Sequence, residues 1–191
     1  YPHSLGLFYG TFTDFLGFKP DVDEWKVMAL SSYTKKNTYV DKVSKLIKLT
    51  KDGFELDLSF FDYYTFDRKK NFFTEKFTKV FGKKRLKNEK ISHKHYEVAF
   101  AMQLIFERTV DHLLKVLKKK SSSKTENLVL AGGAAMNCVY NGKLLKNKTY
   151  AKSFIPSCPD DLGVSIGALL LTQARIKPKA KNLNNNNRAC Y

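Results

Sequence analysis

The sequence predicts an α/β protein, and three observations support this class. An apolar segment, NLVLA at 127–131, reads as a strand and precedes a segment with helical spacing at 134–146. A second short strand, YAKSFIP at 150–156, precedes a helix predicted to begin near Asp161. The longest predicted element is a helix over 94–118, where apolar residues repeat at a helical period. Alternation of strands and helices is typical of a sheet covered by helices.

Apolar spacing predicts a further helix over 4–16, for which Ser4 is a suitable N-cap and Gly17 a suitable stop. The segment 23–33 is predicted to be a short apolar turn or helix. For the helix over 94–118, Ser92 can cap the start and the lysines at 118–120 suit the negative end of the helix dipole.

The middle of the chain is predicted to contain a helix with an exposed lysine face over 39–49. A hairpin follows over 49–58, because Asp52 and Gly53 lie between apolar flanks. Residues 60–90 are aromatic and basic, and we expect short helices on a surface there.

Composition indicates a globular chain. Of the 191 residues, 43% are hydrophobic, which suffices for a core, and no apolar run approaches the roughly 20 residues that span a bilayer. The chain does not open with a signal-peptide pattern. The three cysteines lack CxxC spacing, which argues against a disulfide framework or a cysteine-based zinc site. We therefore expect a cytoplasmic protein without membrane contact.

The formal net charge of +16 could indicate binding to nucleic acid. However, only five of the 34 basic residues are arginine, the residue that favours phosphate forks and base contacts. The lysines are scattered and asparagine is also frequent, a pattern closer to a coding bias than to a binding surface. A basic nucleic-acid-binding module without catalysis stays as an alternative, and we do not expect nucleic acid as the partner.

Two short motifs could carry chemistry. Gly132 and Gly133 can form a tight turn alone, or leave room for a phosphate or a flat ring near the backbone. They match neither GxGxxG nor GxxxxGK[ST]. Asp160 or Asp161 can cap the following helix, or contact a metal or nucleotide.

The histidines form no recognisable metal motif. His93 and His95 are two residues apart, a spacing that does not place both on one helix face. His112 lies within the long predicted helix beside Asp111, and we expect it to be exposed to solvent. His3 could serve as a capping residue or as a site residue.

Five motifs in this order resemble the O-carbamoyltransferase family, the nodulation and antibiotic-tailoring carbamoyltransferases related to the hydrogenase-maturation carbamoyltransferase. The resemblance extends to about Leu170 and is strongest at 1–33 and 128–168. The motifs are YPHSLGLFYGTFTDFLGF at 1–18, DEWKVMALSSY at 23–33, HKHYEVAFAMQ at 93–103, LVLAGGAAMNCVYNGKLL at 128–145 and IPSCPDDLGVSIGALL at 155–170.

The resemblance implies part of an actin-like ATPase fold, with a mixed sheet flanked by helices. It implies ATP-dependent O-carbamoyl transfer: carbamoyl phosphate is hydrolysed to carbamate, a carbamoyl-adenylate forms, and the carbamoyl group passes to a hydroxyl-bearing small molecule. The cofactors implied are ATP and a divalent metal, iron or magnesium. A threonylcarbamoyl-adenylate-dependent tRNA-modifying enzyme of the same superfamily is the alternative, and the PHSLG and KVMxL patterns favour the first assignment.

The family's site residues are carried over where the motifs match. Gly132, Gly133 and Asn137 correspond to the GGxxxN nucleotide loop, and Asp161 corresponds to the metal-binding Asp. Lys26, in KVMxL, and His3, in PHSLG, are the candidate catalytic residues. His95 matches a His that opens the long helix, without an assigned role.

The sequence also departs from the family. The upstream phosphate loop and a pair of metal-binding histidines are expected before residue 1, and an acid, Asp160, occupies a position that is usually Gly. We therefore expect an incomplete fold: a partial nucleotide-binding domain over 1–176 and a Lys/Asn-rich linker or truncated tail over 177–191. A flanking domain of the same enzyme is the expected partner, and the 191 residues alone are expected to be inactive.

Overall fold

A computed structural model describes residues 1–65, 71–121, 126–144, 146 and 149–176. The chain forms two compact units, Tyr1–Ser123 and Lys124–Tyr191. None of the helices in the described ranges combines the length and the apolar character that crossing a membrane requires. The predicted tail at 177–191 lies outside the described residues.

Unit 1 is mainly helical and contains one β-hairpin. Its helices and strands are α1 (Leu5–Phe15), α2 (Glu24–Leu30), α3 (Val40–Ser44), β1 (Ile47–Leu49), β2 (Phe54–Leu56), α4 (Glu75–Phe81) and α5 (His93–Lys120). Short 3-10 helices lie at Ser31–Tyr33, Leu58–Phe60 and Tyr63–Thr65. The predicted turn or helix over 23–33 is therefore α2 with a 3-10 turn after it.

Helix α1 confirms the helix predicted over 4–16. The Ser4 side chain accepts a hydrogen bond from the Leu7 N–H at 3.3 Å, so Ser4 is the N-cap. Gly17 has a φ of +75°, a left-handed conformation that favours glycine after a helix end. Phe8, Phe12 and Phe15 are almost fully buried and place α1 at the centre of the core.

The aromatic segment 60–90 contributes to the core rather than only to the surface, which corrects the sequence prediction. Phe77 and Phe81 of α4 lie one turn apart and are buried, and Phe61 and Phe73 are buried as well. The rings of Phe12 and Phe77 meet edge to face at 5.2 Å between centroids. Hydrophobic burial of these rings therefore outweighs the basic character of the segment.

The helix predicted over 39–49 is wrong beyond Ser44. Ile47–Leu49 is strand β1, which pairs antiparallel with β2 in the register Ile47 with Leu56. The hairpin prediction at 49–58 is confirmed, and its turn explains the error. Because Asp52-Gly53 reverses the chain, the backbone N–H and C=O groups of Ile47–Leu49 can hydrogen-bond to β2 instead of within a helix.

The tip of this hairpin contacts α5. His112 Nε2 lies 2.8 Å from the Thr50 carbonyl oxygen, and Lys120 Nζ lies 2.7 Å from Asp52 Oδ1. The expectation that His112 is exposed is therefore wrong, because this half-buried ring hydrogen-bonds to the hairpin backbone.

Helix α5 confirms the longest predicted element and extends it to 28 residues. Its inward stripe is the predicted one, with Val98, Met102, Phe106 and Leu114 buried. Polar groups on the same face join it to α1. The Tyr9 hydroxyl donates to Gln103 Oε1 at 2.9 Å, and Gln103 Nε2 donates to Glu107 Oε1 at 2.9 Å.

Buried charged side chains close the carboxyl end of α1. The Arg85 guanidinium donates to the Leu16 carbonyl at 2.5 Å and to the Glu89 carbonyl at 2.5 Å. Asp14, which is 6% exposed, lies 2.5 Å from Lys84 Nζ and accepts from the Phe72 N–H at 3.0 Å. The segments around Phe72 and Arg85 are therefore fixed to the end of α1 by charge-assisted hydrogen bonds.

Unit 2 alternates strands and helices, as the α/β prediction requires. Its elements are β3 (Asn127–Val129), a 3-10 helix (Gly133–Met136), α6 (Cys138–Leu144), β4 (Lys152–Phe154) and α7 (Gly163–Ile176). Strands β3 and β4 are parallel, with Leu128 opposite Ser153.

Several details of unit 2 differ from the prediction. In the described ranges the strands form two separate two-stranded sheets, not one mixed sheet. Within β3 only Leu128 is buried, although the segment is apolar. Helix α6 begins at Cys138 rather than 134, because a 3-10 turn and the Asn137 cap precede it. Helix α7 begins at Gly163, two residues after Asp161.

Candidate functional site

The glycine pair forms an open turn after β3. Gly132 has a φ of +94°, and Gly133 begins the 3-10 helix that leads toward α6. A Cβ atom added to either glycine would meet no described atom within 4 Å. The turn therefore presents bare backbone to open space, and only Gly132 needs glycine for its conformation.

The turn after β3 contacts the loop after β4. The Gly132 N–H donates to the Pro159 carbonyl oxygen at 2.6 Å. Because β3 and β4 are parallel, both loops leave the carboxyl edge of the same small sheet. The structure thus joins the two motifs singled out in the sequence, the glycine pair and the segment containing Asp161.

Asn137 caps the helix that follows the glycine turn. It is 5% exposed, and its Oδ1 accepts a hydrogen bond from the Tyr140 N–H at 2.9 Å. That is the geometry of a helix N-cap, so Asn137 fixes the start of α6 relative to the glycines. Its role in the described structure is to position the turn.

Asp161 lies exposed in the loop that precedes α7. Its neighbour Asp160 accepts a hydrogen bond from the Leu162 N–H at 3.3 Å, so Asp160 serves the local turn. A Cβ atom on Gly163 would overlap the Cys158 carbonyl oxygen, which makes glycine necessary there. The tight turn leaves the Asp161 carboxylate at the surface.

The described residues do not assemble a complete metal site around Asp161. In the described ranges there is no group of three or more His, Cys, Asp or Glu side chains placed to hold a metal ion. Structural metal sites in proteins usually need three or four protein ligands. The exposed Asp161 carboxylate is a single ligand, and the Asp160 carboxylate is hydrogen-bonded within its own turn. These groups are too few to hold a metal ion by themselves.

His3 connects the amino terminus to the hairpin of unit 1. Its Nδ1 accepts a hydrogen bond from the Leu56 N–H at 3.0 Å. Nearby, the Tyr63 hydroxyl donates to the Pro2 carbonyl at 2.9 Å, and burial, more than nearby charge, raises the pKa of Tyr63. The exposed His3 ring therefore has a structural contact through one nitrogen.

Lys26 forms an ion pair on the surface of α2. Its Nζ lies 2.7 Å from Asp23 Oδ1 and 5.3 Å from the ring centroid of Trp25. The hydrogen bond from Lys26 is the main reason that the pKa of Asp23 is lowered. The Lys26 ammonium group is thus paired with the Asp23 carboxylate, one helical turn away.

His95, which the sequence left without a role, caps α5. The Ser92 N–H donates to His95 Nδ1 at 2.9 Å, as in a capping box. Burial is the main reason that the pKa of His95 is lowered. The charges of Arg85 and Lys94 also lower this pKa, and the charge of Glu89 raises it.

The predicted site residues thus fall into two sets. Gly132, Gly133, Asn137 and Asp161 belong to unit 2, while His3 and Lys26 belong to unit 1. Sequence reasoning missed Asn141, whose Nδ2 donates to the Ala135 carbonyl at 2.7 Å. Its position one helical turn after Asn137 is the signal that could have identified it.

Comparisons with known proteins agree with the motif order. The family model described as "Carbamoyltransferase N-terminus" matches residues 1–170. An uncharacterized protein of Synechocystis sp. is 36% identical over 173 residues, which cover 89% of this chain and 27% of that protein.

Two nodulation proteins are also similar. Nodulation protein NolO of Bradyrhizobium diazoefficiens is 29% identical, over 91% of this chain and 29% of its own length. Nodulation protein NolNO of Sinorhizobium fredii is 30% identical, over 88% of this chain and 22% of its own length. The chain thus spans between a fifth and a third of the length of these curated relatives.

Proposed function

Because this chain belongs to the carbamoyltransferase N-terminus family, we propose that it is part of an ATP-dependent O-carbamoyltransferase. In the reaction proposed, carbamoyl phosphate is hydrolysed to carbamate and phosphate. Carbamate attacks the α-phosphate of ATP, forming carbamoyl-adenylate and releasing pyrophosphate. The acceptor hydroxyl then attacks the carbamoyl carbon, AMP leaves, and the hydroxyl proton is lost. The expected cytoplasmic location belongs to the same proposal.

The hydrogen bond from the Gly132 N–H to the Pro159 carbonyl carries this proposal. It holds the glycine turn and the Asp161 loop side by side at the edge of the β3–β4 sheet, where ligands of open α/β sheets bind. The missing side chains at Gly132 and Gly133 leave a cradle that added Cβ atoms would narrow. This geometry suits the adenosine or a phosphate of ATP.

The actin-like ATPase fold is part of the proposal as well. Its support is the family match over residues 1–170 together with the parallel pairing of β3 and β4. The two short sheets of the described ranges would then be portions of larger sheets.

For the divalent metal, iron or magnesium, we propose only that Asp161 contributes one carboxylate. The other ligands would have to come from outside the described residues, and we assign no step of the reaction to a metal.

Catalytic roles for Lys26 and His3 stay predictions. Lys26 would have to exchange its ion pair with Asp23 for a negatively charged substrate. His3 would have to act through Nε2, because Nδ1 accepts from the Leu56 backbone.

The experiment that tests the proposal is ATP–pyrophosphate exchange dependent on carbamoyl phosphate, measured with the purified full-length protein, which includes the sequence that flanks these 191 residues. We expect exchange with the natural sequence and its loss in Asp161→Asn, which keeps the shape of the side chain but removes its charge. Asp160→Asn is the matched control and should retain exchange, because the Asp160 carboxylate serves the local turn.

Absence of both ATP binding and exchange in the natural sequence would disprove the proposal. Full exchange in Asp161→Asn would remove Asp161 from the site while leaving the reaction in place. Mass analysis of the product separates transfer of a carbamoyl group from transfer of a threonylcarbamoyl group.

A further inference from the structure

Asn141 carries a buried polar atom that has no function within the fold. Its Nδ2 donates to the Ala135 carbonyl at 2.7 Å, on the turn that follows the two glycines. Its Oδ1 is buried and has no hydrogen-bond partner in the part of the chain that the structure describes. It is the only buried side-chain nitrogen or oxygen atom of the described residues in this condition.

The orientation of the Asn141 amide follows from its neighbours. The group that faces the Ala135 carbonyl must be a donor, so it is the NH₂ group. Rotating the amide by 180° would bring two acceptor oxygens together and leave the NH₂ group unpaired. The remaining atom, Oδ1, is therefore an acceptor.

Keeping this acceptor costs stability. A buried amide oxygen without a partner loses its hydrogen bonds to water and gains none in return. Asparagine is also a poor residue for the interior of a helix such as α6. A leucine would avoid both costs but would lose the hydrogen bond from Nδ2 to Ala135, so Oδ1 is the part of the side chain for which the described residues show no use. A partner in another state of the protein would give it one.

The position of Asn141 suggests what the partner is. Its amide holds the turn that begins at Gly132 and Gly133, and Asn137, one helical turn earlier, holds the same turn through the start of α6. A nucleoside bound against the glycines would bring hydrogen-bond donors to this turn, namely ribose hydroxyls and the exocyclic amino group of adenine. Unprotonated phosphate oxygens carry no donor for Oδ1.

We propose that Asn141 determines nucleotide specificity by accepting, through Oδ1, a hydrogen bond from a donor group on the nucleoside. The inference rests on the proposed nucleotide site. Since Oδ1 is buried in the ligand-free structure, the inference requires that Oδ1 becomes accessible when the nucleotide binds. Asn141 thus has two functions. Its Nδ2 fixes the turn through Ala135, and its Oδ1 accepts a hydrogen bond from the nucleoside.

The test measures dissociation constants by titration calorimetry for ATP and three analogues. Two analogues lack the 2′ or the 3′ hydroxyl, and the third, purine riboside triphosphate, lacks the amino group. With the natural sequence we expect one analogue to bind about threefold to tenfold more weakly than ATP, which identifies the donor.

Asn141→Leu is the diagnostic variant. It should bind ATP more weakly, and the difference between ATP and the discriminated analogue should disappear. Asn88→Leu, an exposed position in unit 1, is the control and should leave all four constants unchanged. Thermal unfolding by circular dichroism checks that each variant is folded. If Asn141→Leu is unfolded, Asn141→Ser replaces it, with the same expected loss of discrimination.

The outcomes separate this inference from the proposed function. If the natural sequence binds ATP and a folded Asn141 variant discriminates the analogues just as well, the inference is wrong and the nucleotide site stands. It is equally wrong if the natural sequence binds all four nucleotides alike. If the natural sequence binds none of them, both the site and the inference fail.

Discussion

A Cβ atom on Gly17 would overlap the carbonyl oxygen of Arg85, so these two residues can be adjacent only while residue 17 is glycine. The Arg85 side chain reinforces the contact, since its guanidinium binds the Leu16 carbonyl and lies 4.8 Å from the centroid of the Phe18 ring. The end of α1 is therefore a close backbone junction with the segment after α4. Its integrity should govern the stability of unit 1.

Gly17→Ala should destabilise unit 1 by about 2 kcal/mol or more, because it adds a steric overlap to a strained left-handed backbone. The measurement is the free energy of unfolding from urea titration, followed by far-ultraviolet circular dichroism. Gly53→Ala is the matched control, since a Cβ there meets open space and the φ is not positive. It should change the free energy by less than about 0.5 kcal/mol. Equal effects of the two substitutions would contradict the proposed junction.

Stability should fall in mildly acidic solution because of His95. The neutral ring accepts the Ser92 N–H at Nδ1, and protonation would remove that acceptor. Burial places the folded-state pKa of His95 below the unfolded-state value near 6.5. The unfolded chain therefore binds the proton more readily, so this contribution is complete above pH 6.5 and is lost as pH falls toward the folded-state pKa.

The measurement for His95 is the urea midpoint between pH 7.5 and 5.0, compared with that of His95→Gln. The natural sequence should lose more stability over this range than the variant, whose residue 95 does not titrate. Arg85, Glu89 and Lys94 are the charged groups that affect the pKa of His95. Parallel pH profiles for the two proteins would show that His95 does not cause the loss.

Gly133→Ala should separate ligand binding from folding. The φ of Gly133 is not positive and an added Cβ meets no described atom, so stability should change by less than about 0.5 kcal/mol. If the open space receives ATP, the methyl group should weaken ATP binding about tenfold, measured by calorimetry.

Gly142→Ala is the control for Gly133→Ala, because it adds the same methyl group in open space on α6. It should leave ATP affinity unchanged and slightly stabilise the helix. Unchanged ATP affinity in Gly133→Ala would place the nucleotide elsewhere.

Local signals in the sequence predicted several elements well. Helices α1 and α5 follow from apolar spacing and from their caps, Ser4 and Ser92, and the β-hairpin follows from Asp52-Gly53. Where local signals competed, the prediction failed. Residues 39–49 were predicted as one helix, but Ile47–Leu49 form strand β1. Their pairing with β2 depends on residues on the far side of the Asp52-Gly53 turn.

At the candidate site, too, the sequence predicted some features and missed others. The motif order identified the family, and the family match over residues 1–170 confirms it. Gly132, Gly133, Asn137 and Asp161 stay predicted site residues. The sequence did not identify Asn141, since an asparagine on a helix resembles a surface residue until its contacts are known. It also gave no role to His95, whose capping contact depends on the exact start of α5.

By itself, the sequence determined the alternation of elements in unit 2, the apolar repeat of α5, Gly17 as a suitable stop for α1, and the family. These depend on periodicity, on backbone conformation and on the order of short motifs, which are properties of neighbouring residues. Only the tertiary structure decided that Gly132 hydrogen-bonds to Pro159 and that the Arg85 side chain binds the Leu16 carbonyl at the end of α1. It also decided that Asn141 Oδ1 is buried with no partner among the described residues. Such contacts join or enclose groups that are distant in the chain, and packing rather than local preference selects them.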